Sequence, residues 1–187
     1  MLKKIFISGL LGGIVLILWA FVANAILGFK SRIDMKQIPN ESQVYQVLKE
    51  NIVKPGGYMC NSPLTPAGTF PLEEQVFSIR YSGMGHASAA QELVVQLAMA
   101  IIAVMVAAWM LSVSSSRILS AYSRRVLFIA AIGLLFAVFS DLAKFGIGGY
   151  PLPSLLLLAA NDFISWTLAG LVVAWWLKPK SIVVTSS

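Results

Sequence analysis

The sequence predicts an all-α membrane protein, a four-transmembrane-helix bundle with a small α/β cap between helices 1 and 2. The first observation is composition: 58% of the 187 residues are hydrophobic and 12% are charged, whereas soluble domains average about 25% charged residues. The second is that the apolar residues gather in four long runs. The third is that one long polar stretch separates the first run from the other three.

Each of the four apolar runs is long enough to cross a bilayer, which takes about 20 helical residues. A helix suits this environment because it satisfies its backbone hydrogen bonds internally, as lipid requires. The runs span residues 5–29, 93–113, 126–147 and 152–177. The predicted organisation is a first transmembrane helix in 1–29, a cap in 30–91, and helices 2–4 with a C-terminal tail in 92–187.

The first run also resembles a signal peptide, because Ala23-Asn24-Ala25 fits a small-x-small cleavage site. However, its apolar stretch 5–21 exceeds the roughly 7–15 residues of a signal-peptide hydrophobic region. Apolar residues also resume after the site, at Ile26. We therefore predict a retained helix, in which Gly9 and Gly13 form a GxxxG pair that lets another helix approach closely.

The distribution of basic residues predicts the orientation of the chain. Lysines or arginines precede the first run, lie between the second and third, and follow the fourth, whereas the short loop GIGGYPLP has none. By the positive-inside rule, both termini are cytoplasmic and the cap lies outside. Although the net charge is +6, no more than two basic residues are adjacent anywhere in the sequence. We therefore predict the lipid bilayer as a partner, and no nucleic acid.

The cap contains signals for one short helix and one hairpin. In residues 38–58, Asn40 is a candidate N-cap and Pro55-Gly56-Gly57 is a helix terminator. The segments YMC and QVFSIRYSG follow, and the second alternates apolar and polar residues as a strand does. We expect a helix and a small hairpin that lie on the outer ends of the membrane helices.

The outer helix carries a motif that resembles a group of short bacterial inner-membrane proteins of unknown function. The motif follows a Trp-bearing first span, and the resemblance covers roughly the first third of the chain. The motif comprises Pro39, Glu41, Val44, Leu48, Lys49, Asn51, Pro55, Gly56 and Tyr58. The resemblance implies a multi-pass protein of the bacterial inner membrane with a small periplasmic cap. It implies no catalytic residue.

Polar residues inside membrane helices are costly and mark functional sites. In the outer half of the predicted bundle they are Asn24, Glu92, Gln96, Asp141, Lys144, Asn161 and Asp162. One interpretation is a polar pocket that opens to the periplasm and binds a small cation or polar ligand, or relays protons. The structural alternative is that Asp141 and Lys144 neutralise each other. The helices are then bridged by hydrogen bonds of about 0.6–2 kcal/mol each from Asn24, Gln96, Asn161 and Asp162.

Soft or borderline metal ligands occur in the cap at Met59, Cys60, Met84 and His86. If the hairpin pairs YMC with the stretch near RYSGMGH, these side chains converge on a site suited to copper(I). Cys60 with His86 as base is an alternative nucleophile pair, although no third partner is defined. We assign no catalytic residue and no cofactor from the sequence.

Together these features predict a non-enzymatic accessory subunit. It would bind another membrane protein, a second copy of itself or a periplasmic ligand through the cap and the polar pocket in the outer leaflet. The alternatives are a small ion or solute transporter and a periplasm-facing metal-binding protein. A transport pathway needs polar groups through the inner half of the membrane, where the sequence is almost wholly apolar. This contrast favours the accessory role.

Overall fold

The computed structural model describes residues 2–33, 36–66, 69–71, 73–85, 88–146 and 149–178. In chain order the elements are α1 (Leu2–Phe21), α2 (Phe29–Ile33), α3 (Glu41–Asn51), β1 (Gly56–Cys60), β2 (Phe77–Tyr81), α4 (Ala89–Ser112), α5 (Ser116–Leu119), α6 (Tyr122–Phe136) and α7 (Leu152–Trp176). A π-helical segment, Val22–Ile26, extends α1. A second one, Ala137–Asp141, extends α6 and is followed by a 3₁₀ turn, Leu142–Lys144.

Among the described residues, four helical stretches are long and apolar enough to cross a membrane. This finding confirms the four predicted spans and fits a multi-pass integral membrane protein. The observed bounds differ from the predicted ones by a few residues. The stretches are Leu2–Ile26, Ala90–Ser112, Tyr122–Lys144 and Leu152–Trp176.

Helix α1 packs against both α4 and α7, and α6 packs against α7. Close approach of α1 and α4 depends on glycine: a Cβ added at Gly13 would lie only 2.9 Å from the Cα of Ile101. A Cβ at Gly9 would overlap the side chain of Met105 one turn further along α4. The GxxxG pair therefore brings a second helix close, as predicted.

We call the half of the bundle next to the cap the cap side, and the half that holds Leu2 and Trp176 the termini side. The apolar core lies on the termini side, where side chains from all four long helices are buried together. Its buried members are Ile5, Val104, Ala107, Ala108, Leu111, Ile129, Ala169, Val173 and Leu177. Three of these nine residues are alanines, and small side chains of this kind allow close helix packing in lipid.

The cap contains the predicted helix and hairpin. Asn40 directly precedes α3 with a φ of 60°, and its side chain makes no capping hydrogen bond, so the predicted start is confirmed without the predicted capping interaction. Strands β1 and β2 are antiparallel, and their register pairs Gly56 with Tyr81 and Cys60 with Phe77.

The cap has no buried core in the part of the chain that the structure describes. No described side chain from residue 24 to residue 103 is buried, a range that includes α3, both strands and the first half of α4. A segment of about 60 residues is marginal as an independent domain even when it has a core. The cap and the adjoining end of α4 are therefore the least covered parts of the described structure.

Candidate functional site

An ion pair at the cap-side end of the α6 extension forms the centre of the candidate site. The Nζ atom of Lys144 donates to Oδ1 of Asp141 at 3.1 Å. The Asp141 side chain is only 5% exposed, whereas the Lys144 side chain is 39% exposed. The second carboxylate oxygen of Asp141, Oδ2, is buried and has no hydrogen-bond partner among the described residues.

Helix α7 contributes two adjacent polar side chains to the same site. Asn161 donates from Nδ2 to Oδ1 of Asp162 at 3.2 Å. Its own Oδ1 accepts a hydrogen bond from Nε1 of Trp19 at 2.9 Å. The carboxyl group of Asp162 also lies within interaction range of Asp141 and Lys144. We call these five residues, Trp19, Asp141, Lys144, Asn161 and Asp162, the polar cluster.

The backbone around the polar cluster departs from regular α-helix on two of its three helices. The π-helical segment Val22–Ile26 begins three residues after Trp19, and the segment Ala137–Asp141 ends at Asp141. A π-helical turn holds an additional residue, so the side chains that follow it are rotated away from their α-helical positions. Such turns are rare and occur frequently at functional sites. Here they accompany the convergence of α1 and α6 side chains towards α7.

Three predicted pocket residues do not join the polar cluster. Asn24 is half-buried and makes no side-chain hydrogen bond to a described residue. Glu92 is exposed and accepts a hydrogen bond from Oγ of Ser88 at 3.0 Å. Gln96 is exposed on α4, as is every side chain from Gln91 to Gln96. Four of the seven predicted pocket residues therefore belong to the polar cluster, and Trp19 is a fifth member that was not predicted.

A second buried polar residue, Arg125, lies on the termini side near the start of α6. Its Nε donates to the carbonyl oxygen of Ala174 in the last turn of α7, at 3.1 Å. A terminal nitrogen donates to the carbonyl of Leu119, and the guanidinium lies 6.0 Å from the centre of the Tyr122 ring. Carbonyl groups at a helix C-terminus carry partial negative charge and stabilise a cation.

Sequence reasoning missed Trp19 and Arg125 as members of buried networks. A tryptophan deep in an apolar span was a usable signal, because a buried indole N–H needs an acceptor. Arg125 gave no comparable signal, because Arg124 and Arg125 are adjacent. Only the helix rotation decides which of the two is buried, and Arg124 is the exposed one.

The structure does not bring together the three predicted metal ligands that it describes, Met59, Cys60 and Met84. Met59 and Cys60 end β1, where Cys60 is exposed and pairs with Phe77. Met84 follows the other end of the hairpin, since Tyr81 pairs with Gly56. The pairing on which the copper hypothesis depended is therefore not the observed one. His86 lies outside the described residues, so neither its metal role nor its pairing with Cys60 is addressed.

Two adjoining cavities lie on the cap. The first, of about 300 Å³, lies between α3 and β2 and combines apolar side chains with Lys49 and Arg80. The second, of about 660 Å³, extends to Glu92 in the first turn of α4. Both are lined by Tyr45, Arg80 and Tyr81. We call the combined surface the cap groove, which runs from α3 to the cap-side end of a membrane helix.

Comparisons of this chain with protein-family models, curated proteins and solved structures give no match. The resemblance of the α3 motif to short bacterial inner-membrane proteins therefore stays a prediction. Any functional interpretation depends on the geometry of the polar cluster, the cap groove and the uncovered end of α4.

Proposed function

We propose that this protein is a non-enzymatic accessory subunit of the bacterial inner membrane that binds another membrane protein through its cap and the cap-side end of α4. The observation that carries the proposal is the lack of burial from residue 24 to residue 103 in the described structure. These residues form defined secondary structure without a core of their own. A partner that covers them would supply the missing burial.

The cap exposes large apolar side chains on both the helix and the hairpin. Contiguous exposed apolar surface on a folded segment marks an interaction site. Two of the aromatic residues, Tyr45 and Tyr81, line the cap groove beside the cations Lys49 and Arg80. Tyrosine and arginine contribute disproportionately to binding energy at interfaces. The largest exposed side chains of the cap include Tyr45, Val53, Leu64, Phe70, Phe77 and Tyr81.

The position of the groove favours a partner that is itself embedded in the membrane. The groove reaches Glu92, and Gln96 lies about one turn further along α4. Gln96 is exposed on a membrane helix and makes no hydrogen bond to a described residue. Exposure of such an amide to lipid is energetically costly. Against another helix the same amide is stabilising, because it can hydrogen-bond across the interface.

A transport role has less support from the geometry. Buried apolar side chains fill the termini side between α1, α4, α6 and α7. Arg125, the charged residue buried there, is held by backbone carbonyl groups. The described polar groups therefore do not form a path between the two sides. The metal-binding alternative has less support as well, because the register separates Cys60 from Met84.

The proposal is tested by site-specific photo-crosslinking in intact membranes. A photo-crosslinking amino acid in place of Tyr45 or Tyr81 should give one defined adduct with a membrane protein. Arg80→Glu or Gln96→Leu in the same chain should weaken that adduct several-fold. The matched control position is Leu64, which is 92% exposed on the same cap but outside the groove.

Equal crosslinking from Leu64 and Tyr45 would contradict a specific cap groove. An adduct of twice the chain mass would identify the partner as a second copy. A chain that crosslinks to nothing from any groove position, while present in the membrane at normal level, would contradict the accessory role.

The proposed orientation is tested with the native cysteine, because Cys60 is the one cysteine of the chain and is exposed on β1. With the cap in the periplasm, a membrane-impermeant maleimide should label Cys60 in intact spheroplasts. A control chain with Cys60→Ser and Ser116→Cys should be labelled only after permeabilisation, because Ser116 lies in α5 between α4 and α6. The reverse pattern would contradict the proposed topology.

A further inference from the structure

The polar cluster contains one more acidic group than basic groups. Asp141 and Asp162 each carry one carboxyl group, and Lys144 supplies one ammonium group. No other described side chain in contact with these groups is titratable: α1 contributes Trp19, and Asn161 is neutral. The acid of α4, Glu92, is exposed at the cap-side end and bonds to Ser88. With both carboxyl groups ionised, the cluster therefore holds one uncompensated negative charge.

An uncompensated charge at this depth is costly. The side chain of Asp141 is 95% buried, and transfer of an isolated carboxylate into a low-dielectric interior costs several kcal/mol or more. Residues of this kind inside membrane helices are retained when they are paired or neutralised. The ion pair with Lys144 neutralises only one of the two carboxylates.

The hydrogen bonds of the cluster leave two acceptor atoms free. Lys144 donates a hydrogen bond to Oδ1 of Asp141, and Asn161 donates one to Oδ1 of Asp162. Trp19 donates to Oδ1 of Asn161. Oδ2 of Asp141 is buried without a partner. Asp162 is half-buried, and its Oδ2 accepts no hydrogen bond from a described side chain. The carboxyl group of Asp141 lies within interaction range of Asp162. Two ionised carboxylates can only accept, so they cannot satisfy each other.

We propose that Asp141 and Asp162 form a proton-binding site, in which one proton is shared between the two carboxyl groups at neutral pH. The proton comes from the aqueous phase and makes the cluster electrically neutral. It also supplies the missing donor for the buried Oδ2 of Asp141. A pair of close carboxyl groups that shares one proton is an established arrangement in proteins.

A metal cation fits the same position less well. Hard cations take about six or more oxygen ligands, whereas the cluster offers two carboxylate oxygens without a donor. The ammonium group of Lys144 also repels a second cation. A proton needs one donor bond and one acceptor bond, which these two oxygens provide.

The inference is independent of the proposed partner, because it concerns the isolated chain. It is tested by infrared spectroscopy of the purified protein in nanodiscs at neutral pH, in sodium-free buffer. The chain has three aspartates, Asp34, Asp141 and Asp162, so aspartate labelled with ¹³C at the side-chain carboxyl separates their signal from that of glutamate. A protonated carboxyl group is recognised by a carbonyl band that shifts with ¹³C and with D₂O.

The expected result follows from the charge of each variant. Wild type should show one protonated aspartate, and Asp141→Asn or Asp162→Asn should show none, because Lys144 then balances the remaining carboxylate. Lys144→Met should show two. The control Glu92→Gln should leave the single band unchanged, because Glu92 lies outside the cluster.

Absence of the band in wild type would overturn the inference without reference to any variant. A band that survives both Asp141→Asn and Asp162→Asn would assign the proton elsewhere and would also overturn it. A wild-type band that is lost when sodium is added would show that sodium occupies the site instead, against the proposed selectivity. The shared proton is supported if sodium leaves the wild-type band unchanged and the number of protonated aspartates is one in wild type, none in each Asp→Asn variant and two in Lys144→Met.

Discussion

The two sides of the bundle differ in how their helices are held together. On the termini side, small and aliphatic side chains from α1, α4, α6 and α7 are buried in one core. On the cap side, the helices meet through the polar cluster, while the end of α4 is exposed from Gln91 to Gln96. The termini side is therefore held together by apolar packing. The cap side holds the buried, unpartnered Oδ2 of Asp141 and the exposed end of α4, and we propose that the function lies there.

The largest effect is expected at Gly13, where α1 packs closely against α4. Gly13→Leu would force its side chain against the backbone of Ile101, which cannot move away without shifting α4. Overpacking of this kind costs about 1–3 kcal/mol, and we expect the upper end because the obstacle is backbone. The measurement is the free energy of reversible unfolding in mixed micelles.

The matched control for Gly13 is the neighbouring substitution Ile14→Phe, which adds volume on an exposed face of the same helix. It should change the unfolding free energy by less than about 0.5 kcal/mol. If Gly13→Leu were as mild as Ile14→Phe, the close approach of α1 and α4 would not stabilise the bundle.

The next effect in size is expected at Arg125. Arg125→Met would leave the carbonyl groups of Ala174 and Leu119 without their donor, at a cost of about 1–3 kcal/mol in unfolding free energy. Arg125→Lys should recover only part of this loss, because an ammonium group lacks the forked geometry of guanidinium. The comparison is made by the same unfolding experiment.

Arg124 provides the control for Arg125, because it is adjacent in sequence but exposed. Arg124→Met should have a clearly smaller effect. A larger loss for Arg124→Met than for Arg125→Met would show that the helix rotation at the start of α6 differs from the one described.

The smallest effect is expected in the polar cluster. Trp19→Phe removes the hydrogen bond to Asn161 and should lower the unfolding free energy by about 0.6 kcal/mol, the typical value for a hydrogen bond between membrane helices. Combining it with Asn161→Leu should cost less than the sum of the two single substitutions, because both remove the same bond. Trp109→Phe, at an exposed tryptophan of α4, is the control. Strictly additive losses would mean that the two side chains do not interact.

Most of the fold could be predicted from the sequence because its signals are local. Membrane helices follow from the length of apolar runs, and α3 and the hairpin follow from Pro55, the glycines after it and the alternation in β2. The ion pair was also predictable, since Asp141 and Lys144 are three residues apart on one chain segment.

The arrangement of the site was only partly predictable, because it depends on the rotation of each helix. Helices that are apolar on every side give no amphipathic pattern to fix that rotation. The sequence therefore placed Glu92 and Gln96 in the pocket, whereas the structure turns them outwards. The π-helical segment that ends at Asp141 has no recognisable sequence signal, and it rotates the side chains at its end away from their α-helical positions.

The most direct test of the central claim is native mass spectrometry of the protein extracted gently from its own membrane. We expect an intact chain bound to another membrane protein, and loss of that complex in the Arg80→Glu and Gln96→Leu variants. A bare monomer from wild-type membranes, with the same mass and abundance as the variants, would contradict the claim that the cap side is a binding surface.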